Sequence, residues 1–335
     1  MVEFTCEVRA ADLGIRIGDL EPGRYDAITD VDGVRVGHAT VIEGDDVRTG
    51  VTVVVPPELP LFAGCHRLNG NGELTGLEWV RESGFLTTPI GITNTFSVGV
   101  VRDAIAAAST DDDAWALPVV GETYDGFLND ARGQHVAAEH ALRALAEARA
   151  GPVEEGNVGG GTGMICHGYK GGIGTASRVA NGHVVGALVQ ANHGRRNRLR
   201  VNGIPIPGDS DFERSGGSII GLVATDAPLL PHQCDRLAQR AGLGVGRMGG
   251  LGENSSGDLF FAFATGNGKL GGRETELDVR MLPNERINPL FEAVVDATEE
   301  AILNALLAAE TMTGRNGHTI HALDPVLLRD LTTRV

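Results

Sequence analysis

The stretch Phe212–Leu222 reads FERSGGSIIGL. A polar segment ends in Gly216 and Gly217, and Ser218 opens an apolar run through Ile219, Ile220, Leu222 and Val223. The run has the length and β-branched content of a buried strand, so a hydroxyl heads a core strand directly behind two glycines. A turn before a strand is the ordinary reading of such a dipeptide. The arrangement also suits a chain that is cut before Ser218. Glycines admit backbone conformations closed to other residues, so they can present the Gly217 carbonyl to the neighbouring hydroxyl and tolerate strain at that peptide.

Around this point, residues 195–217 are polar and turn-rich, with Arg195, Arg196, Arg198 and Arg200 followed by PIPGDSDFERSGG. They form the best linker in the chain. Strands and helices are expected on both sides of it, so it need not separate two units, and residues 1–335 are read as a single domain. Upstream, residues 25–56 alternate β-branched residues with Gly and Asp turns and read as two or three strands. HRLNGNGELTG reads as a glycine-rich loop, and residues 134–150 as a helix with Val136, Leu142 and Leu145 on its apolar stripe. Downstream, a helix is expected from about Pro231, then the apolar strand LFFAFAT. A long helix follows, capped by Asn288, with Pro289 in its first turn and its end near Gly314.

Composition bounds the function. The 335 residues are 42% hydrophobic and 21% charged, ordinary for a globular protein. Aromatics make up only 4%, while 48 glycines point to many short strands and tight turns. The net charge is -16, and Lys170 and Lys269 are the only lysines among 28 basic residues. Such a surface repels phosphate backbones and anionic lipid, which argues against nucleic-acid and membrane partners. The N-terminal residues lack the charged and apolar regions of a secretory signal, so a cytoplasmic protein is expected. Its four cysteines, Cys6, Cys65, Cys166 and Cys234, are scattered and read as free, mostly buried thiols.

Several motifs fail on inspection. GVGRMG (Gly244–Gly249) has dinucleotide-fingerprint spacing but follows a helix, where a strand is required before it and a helix after it. HVAAEH (His135, Glu139, His140) matches neither helical zinc motif and reads as a solvated face. No cofactor and no metal are expected, and activity should survive chelation. GETYDG places Glu122 and Tyr124 on one face if the segment is extended. Asn192 ends the strand-like VQANHG, and Ser256 and Asp258 stand before the strand LFFAFAT. Singly, each is an ordinary polar residue at a turn or strand end.

GNGELTG, PIGITNTFSVG, GETYDGFLND, NVGGGTGM, LVQANHG, SGGSII, ATDAPLLPHQ and NSSGDLFFAFAT occur in one order along nearly the whole chain. In that order and spacing the sequence resembles the L-aminopeptidase/D-esterase-amidase family, which includes the β-peptidyl aminopeptidases. The resemblance implies a precursor that cuts itself between Gly217 and Ser218 into an α chain, 1–217, and a β chain, 218–335, which stay associated. It implies an αββα sandwich, layered like the N-terminal-nucleophile hydrolases but with different strand connectivity, assembled as a homo-oligomer, a tetramer of processed pairs. Ser218 becomes the nucleophile and Ser256 with Asp258 a hydrogen-bonded group beside it. On the same resemblance Asn192 and Tyr124 would stabilise the oxyanion, and Glu122 would grip the substrate ammonium. Peptides, amides or esters would be the substrates. Where family members can carry Glu, this chain has the shorter Asp258. Two alternatives stand beside this reading. One is an acyltransferase of the ornithine acetyltransferase type, which uses threonine where this chain has Ser218; the other is a non-catalytic homologue that is never cut.

Overall fold

The structure, a computed structural model, describes residues 8–108, 116–208, 217–271, 275–326 and 328. Cys6, Gly216 and most of the PIPGDSDFERSGG segment lie outside them. In chain order the first strands are β1 (Arg35–Glu43), β2 (Val47–Val55), β3 (Leu61–Gly70), β4 (Phe85–Leu86), β5 (Ile90–Asn94) and β6 (Val119–Thr123). Then come β7 (Ile165–Cys166), β8 (Tyr169–Lys170), β9 (Gly172–Ala180), β10 (His183–Asn192), β11 (Arg200–Val201), β12 (Ile204–Pro205), β13 (Gly217–Thr225) and β14 (Ser256–Ala264). The helices are α1 (Leu77–Ser83), α2 (Val98–Ala107), α3 (Ala138–Ala146), α4 (Pro231–Arg247) and α5 (Asn288–Leu307).

One sheet has the order β1-β2-β5-β6 and the other β4-β3-β14-β13-β10-β9. Apolar side chains from both, such as Val54, Ile90 and Ile92 against Ile220, Leu222 and Phe261, form the inter-sheet core. Helices α2 and α3 cover the outer face of the first sheet through Val101, Ile105, Ala141 and Ala144. The outer face of the second sheet meets α4 and α5 through Leu237, Ala241, Val294 and Ile302. The layers therefore run helix, sheet, sheet, helix, as expected. Each buried phenylalanine of β14, such as Phe260 or Phe261, contributes roughly 1.5–3 kcal/mol through burial.

Strand alternation assigns faces. Ile220 and Leu222 of β13 point between the sheets, whereas Ile219 and Val223 point to the helices. In β14 the inter-sheet set is Leu259, Phe261 and Phe263, and the helix-facing set is Phe260, Ala262 and Ala264.

Local expectations differ from the structure in four places. His66–Gly70 continue β3 rather than forming a loop, because Gly257 to Phe260 supply a paired backbone that overrides the turn residues. Helix α3 is shorter than residues 134–150: the His140 imidazole accepts from the Ala137 N–H at 2.9 Å and caps the start, while Arg149 leaves to pair with Val36. Ala141 and Ala144 are its buried residues, and Leu142 is 44% exposed. Helix α4 runs on through Gly244 and Gly246, which puts GVGR at a helix C-terminus, the wrong end for a pyrophosphate. Asn288 is the first helical residue of α5 rather than its cap, and that helix ends at Leu307.

Candidate active site

Gly217 opens β13 with φ of 140°. A Cβ there would lie 2.0 Å from the Asn192 carbonyl oxygen, so the position admits only glycine. Ser218 follows, buried, paired antiparallel with Asn192 on one side and parallel with Gly257 on the other. By alternation it shares the inter-sheet face with Ile220, and its Oγ accepts from the Gly257 N–H at 3.1 Å. A polar side chain is thus held at the end of an apolar core by a backbone donor.

Asn192 ends β10, and the Ile165 N–H donates to its Oδ1 at 2.8 Å. A donor on that side fixes which way the amide points. Its Nδ2 then donates to the Tyr124 carbonyl oxygen at 3.1 Å, leaving the second amide proton beside the Ser218 strand pair.

Ser256 and Asp258 hydrogen-bond to each other, Ser256 Oγ donating to Oδ1 at 2.6 Å. Both belong to the helix-facing set of β14, so they sit across the sheet from the face that Ser218 shares with Ile220. Their partners in register are Gly217 and Ile219, which brings the pair to the Ser218 backbone rather than alongside its hydroxyl. Burial raises the Asp258 carboxyl above its usual range, opposed by the Ser256 hydroxyl and the Ile219 N–H.

Glu122 is buried in β6. The Glu73 N–H donates to its Oε1 at 3.0 Å and the Thr95 hydroxyl donates to its Oε2. Burial nevertheless raises its pKa above that of an ordinary glutamate. A Cβ on Gly72 would lie 3.2 Å from Glu122 Oε1 and 3.1 Å from the Gly257 Cα, so Gly72 alone separates the carboxylate from the residue that holds Ser218. Beside Gly72 lies a cavity of about 460 Å³, lined also by Arg67, Glu73, Trp79 and Leu259.

Tyr124 does not share a strand face with Glu122, because β6 ends at Thr123. Its ring packs edge-on to Phe96 at 6.3 Å and against Gly126, and the residue is 39% exposed. Its backbone carbonyl accepts from Asn192. The structure therefore gathers Gly217, Ser218, Asn192, Ser256 and Asp258 around one peptide, sets Glu122 one glycine away, and leaves the phenol at the rim. Sequence reasoning missed the Ile165, Glu73 and Gly257 N–H groups, which carry no residue signature. Thr95, within PIGITNTFSVG, carries no signature of its own either.

HVAAEH behaves as expected of a surface group, His135 meeting Asp130 at 3.2 Å. A different cluster, Cys166, His167 and His193, comes together from two distant segments of the chain. The described cysteines Cys65, Cys166 and Cys234 are free thiols.

Four layers with a buried serine opening a central strand define a hydrolase fold of the N-terminal-nucleophile kind. The model of peptidase family S58 matches residues 26–320, and the chain belongs to that family of serine-type hydrolases. It is 47% identical to the β-peptidyl aminopeptidase BapA of Sphingosinicella microcystinivorans, over 96% of this chain and 91% of that one. A Burkholderia sp. β-aminopeptidase superposes with a TM-score of 0.92 at 54% identity, covering 98% and 99% of the two chains. The L-aminopeptidase D-Ala-esterase/amidase of Ochrobactrum anthropi, described as a prototype serine aminopeptidase and a variant of the Ntn hydrolase fold, gives 0.88 at 43% identity, covering 97% and 98%. These relatives set the acyltransferase reading aside.

Proposed function

We propose that the chain cuts itself between Gly217 and Ser218, and that Ser218 then acts as the N-terminal nucleophile of an aminopeptidase and amidase. The observation carrying this reading is the glycine-only backbone of Gly217, pressed on Asn192, with Ser218 fixed behind it at the head of a core strand. In processing, Ser218 Oγ attacks the Gly217 carbonyl carbon. The bond from that carbon to the Ser218 nitrogen breaks, the nitrogen takes a proton, and an ester joins Gly217 to Oγ. Water hydrolyses the ester, releasing the Gly217 carboxylate and restoring the hydroxyl.

In turnover the same oxygen attacks the scissile carbonyl of a peptide, amide or ester, giving an acyl-enzyme that water cleaves. The free α-amine, with an ordinary pKa of about 7.7–8.0, is a base matched to neutral pH. Ser256 and Asp258 border that amine and orient it. The remaining Asn192 amide proton meets the developing oxyanion, a preorganised donor worth about 10²–10³-fold in rate, with the Tyr124 phenol closing the rim. Glu122 pairs with the substrate ammonium and restricts attack to N-terminal residues. The cavity beside Gly72 supplies room for a substrate chain. The relatives' names put β-aminoacyl compounds first among the substrates to try. The working form is a homo-oligomer, a tetramer of processed pairs, in the cytoplasm, where free thiols persist; its chemical steps use no metal or cofactor.

The test is a pair of p-nitroanilides, one with a free amine and one N-acetylated, made with α- and β-aminoacyl groups. Release from the free-amine compounds alone is expected, with Asn192→Ala lowering kcat about 10²–10³-fold. Equal hydrolysis of the acetylated compounds would overturn the aminopeptidase reading.

A further inference from the structure

Strands β7 and β8 form a hairpin whose turn is His167 and Gly168, both at positive φ, 50° for His167. Histidine is among the residue types enriched at such angles. Cys166 precedes it, and His193 follows the last residue of β10. One potential ligand atom from each of these three buried residues lies within 4.8 Å of the others. Cys166 Sγ is 3.9 Å from His193 Nδ1, and the two imidazoles meet edge to face at 5.3 Å.

The hydrogen bonding leaves ligand positions open. His167 Nδ1 lies 3.0 Å from the Arg195 carbonyl oxygen. A carbonyl only accepts, so Nδ1 carries the proton and Nε2 keeps its lone pair. That Nε2 is buried without a partner, as is Nε2 of His193, and a buried polar atom in that state calls for an explanation. The backbone has also been shaped around the ring. A Cβ on Gly194, at φ of 84°, would strike the His167 imidazole at 2.4 Å.

We propose that Cys166, His167 and His193 bind one zinc-class divalent cation. A thiolate with two imidazoles suits zinc and disfavours calcium or magnesium, which take oxygen ligands. The His167 arrangement, one nitrogen donating to a carbonyl and the other free, is the usual outer-shell support of a metal-bound imidazole. Zinc bonds of about 2.0–2.3 Å put neighbouring ligand atoms about 3.5 Å apart in a tetrahedron, a closing-in of roughly 1 Å. Binding releases the Cys166 thiol proton to solvent and leaves the thiolate on the metal. A tetrahedral ion with three protein ligands takes a water in its fourth position.

The cation is a clamp rather than a reagent. Ile165, which orients Asn192, adjoins Cys166 in sequence, and Asn192 adjoins His193, so one ion ties together the two segments that set the amide. Turnover does not require it.

Full-length processed protein, stripped by a chelator, is titrated with Co²⁺ and then Zn²⁺. One equivalent of Co²⁺ should give a thiolate-to-cobalt charge-transfer band and intense tetrahedral d–d bands, both removed by Zn²⁺, and Zn²⁺ should raise the unfolding midpoint. Cys166→Ala should lose the charge-transfer band, while His135→Ala keeps it. His167→Asn, a residue that tolerates positive φ, should weaken Co²⁺ binding at least about ten-fold and serves as the second variant. Absence of the band in the native protein overturns the proposal, as does a band unchanged in both site variants.

Discussion

The roles proposed for two residues can be tested separately. Burial raises the Glu122 carboxyl above its ordinary 4.5, against the opposing pull of Thr95 and the Glu73 N–H. Pairing with a substrate ammonium requires the carboxylate. As pH falls through the raised pKa the anchor is lost, so the acid limb of kcat/KM stands above the ordinary carboxylate range. Glu122→Gln should remove that limb and lower kcat/KM for free-amine substrates about ten- to hundred-fold, the equivalent of a charge-assisted hydrogen bond of about 1.5–3 kcal/mol. It should spare self-cleavage, because the precursor presents no amine there. A variant with an unchanged limb and normal kcat/KM would return Glu122 to a structural role. Gly217 is tested differently. Gly217→Ala forces a Cβ onto the Asn192 carbonyl, and electrophoresis should show the chain uncut or cut at least about ten-fold more slowly, an effect of a few kcal/mol of strain. A cut at the native rate would disconnect the backbone geometry from the chemistry.

At the scale of elements, β14 offers two services from its two faces: Gly257 addresses the Ser218 hydroxyl, and Ser256 with Asp258 addresses its backbone. After cleavage that backbone ends in an amine, and a nearby carboxylate favours the protonated form of an amine. Asp258→Asn should therefore lower the pKa of the Ser218 amine and move the corresponding limb of the kcat pH profile downward, while leaving sheet register intact. An upward shift would rule out Asp258 as the amine's neighbour. Much of this was legible in the sequence. Ser218 heading an apolar strand and the apolar β14 follow from alternation and residue type, whereas the segment before Ser218 is less polar than its arginines suggest, since Leu199, Val201 and Ile206 enter the core. The face relationship was not legible, because whether Asp258 lies beside the hydroxyl or beside the amine depends on register with a strand far away in the chain. Tyr124 shows the same limit: two residues after Glu122, it escapes the common face only because β6 stops at Thr123. Long-range placement also hid the approach of Cys166 and His167 to His193, since ligand motifs are recognised in sequence only when their members lie a few residues apart.

For the whole molecule, the proposed cut falls at the first peptide bond of β13, so one sheet is built from both chains. The β chain, 218–335, supplies nearly all of β13 and the whole of β14, while β3 and β10 of the α chain pair on either side of them. Separating the two chains would expose that sheet's core, so they should co-elute under native conditions and come apart only on denaturation, as size-exclusion chromatography followed by a denaturing gel would reveal. No helix among the described residues is long and apolar enough to cross a membrane. The central claim is that Ser218 is an N-terminus in the working enzyme, and the intact mass of denatured, freshly purified protein, with N-terminal sequencing of the smaller species, tests it most directly. Two masses corresponding to residues 1–217 and 218–335 are predicted, the smaller species beginning SIIGLVATDAP, and a single full-length mass for Ser218→Ala. A native chain that stays whole after prolonged incubation at neutral pH, or one cut at another peptide bond, would contradict it.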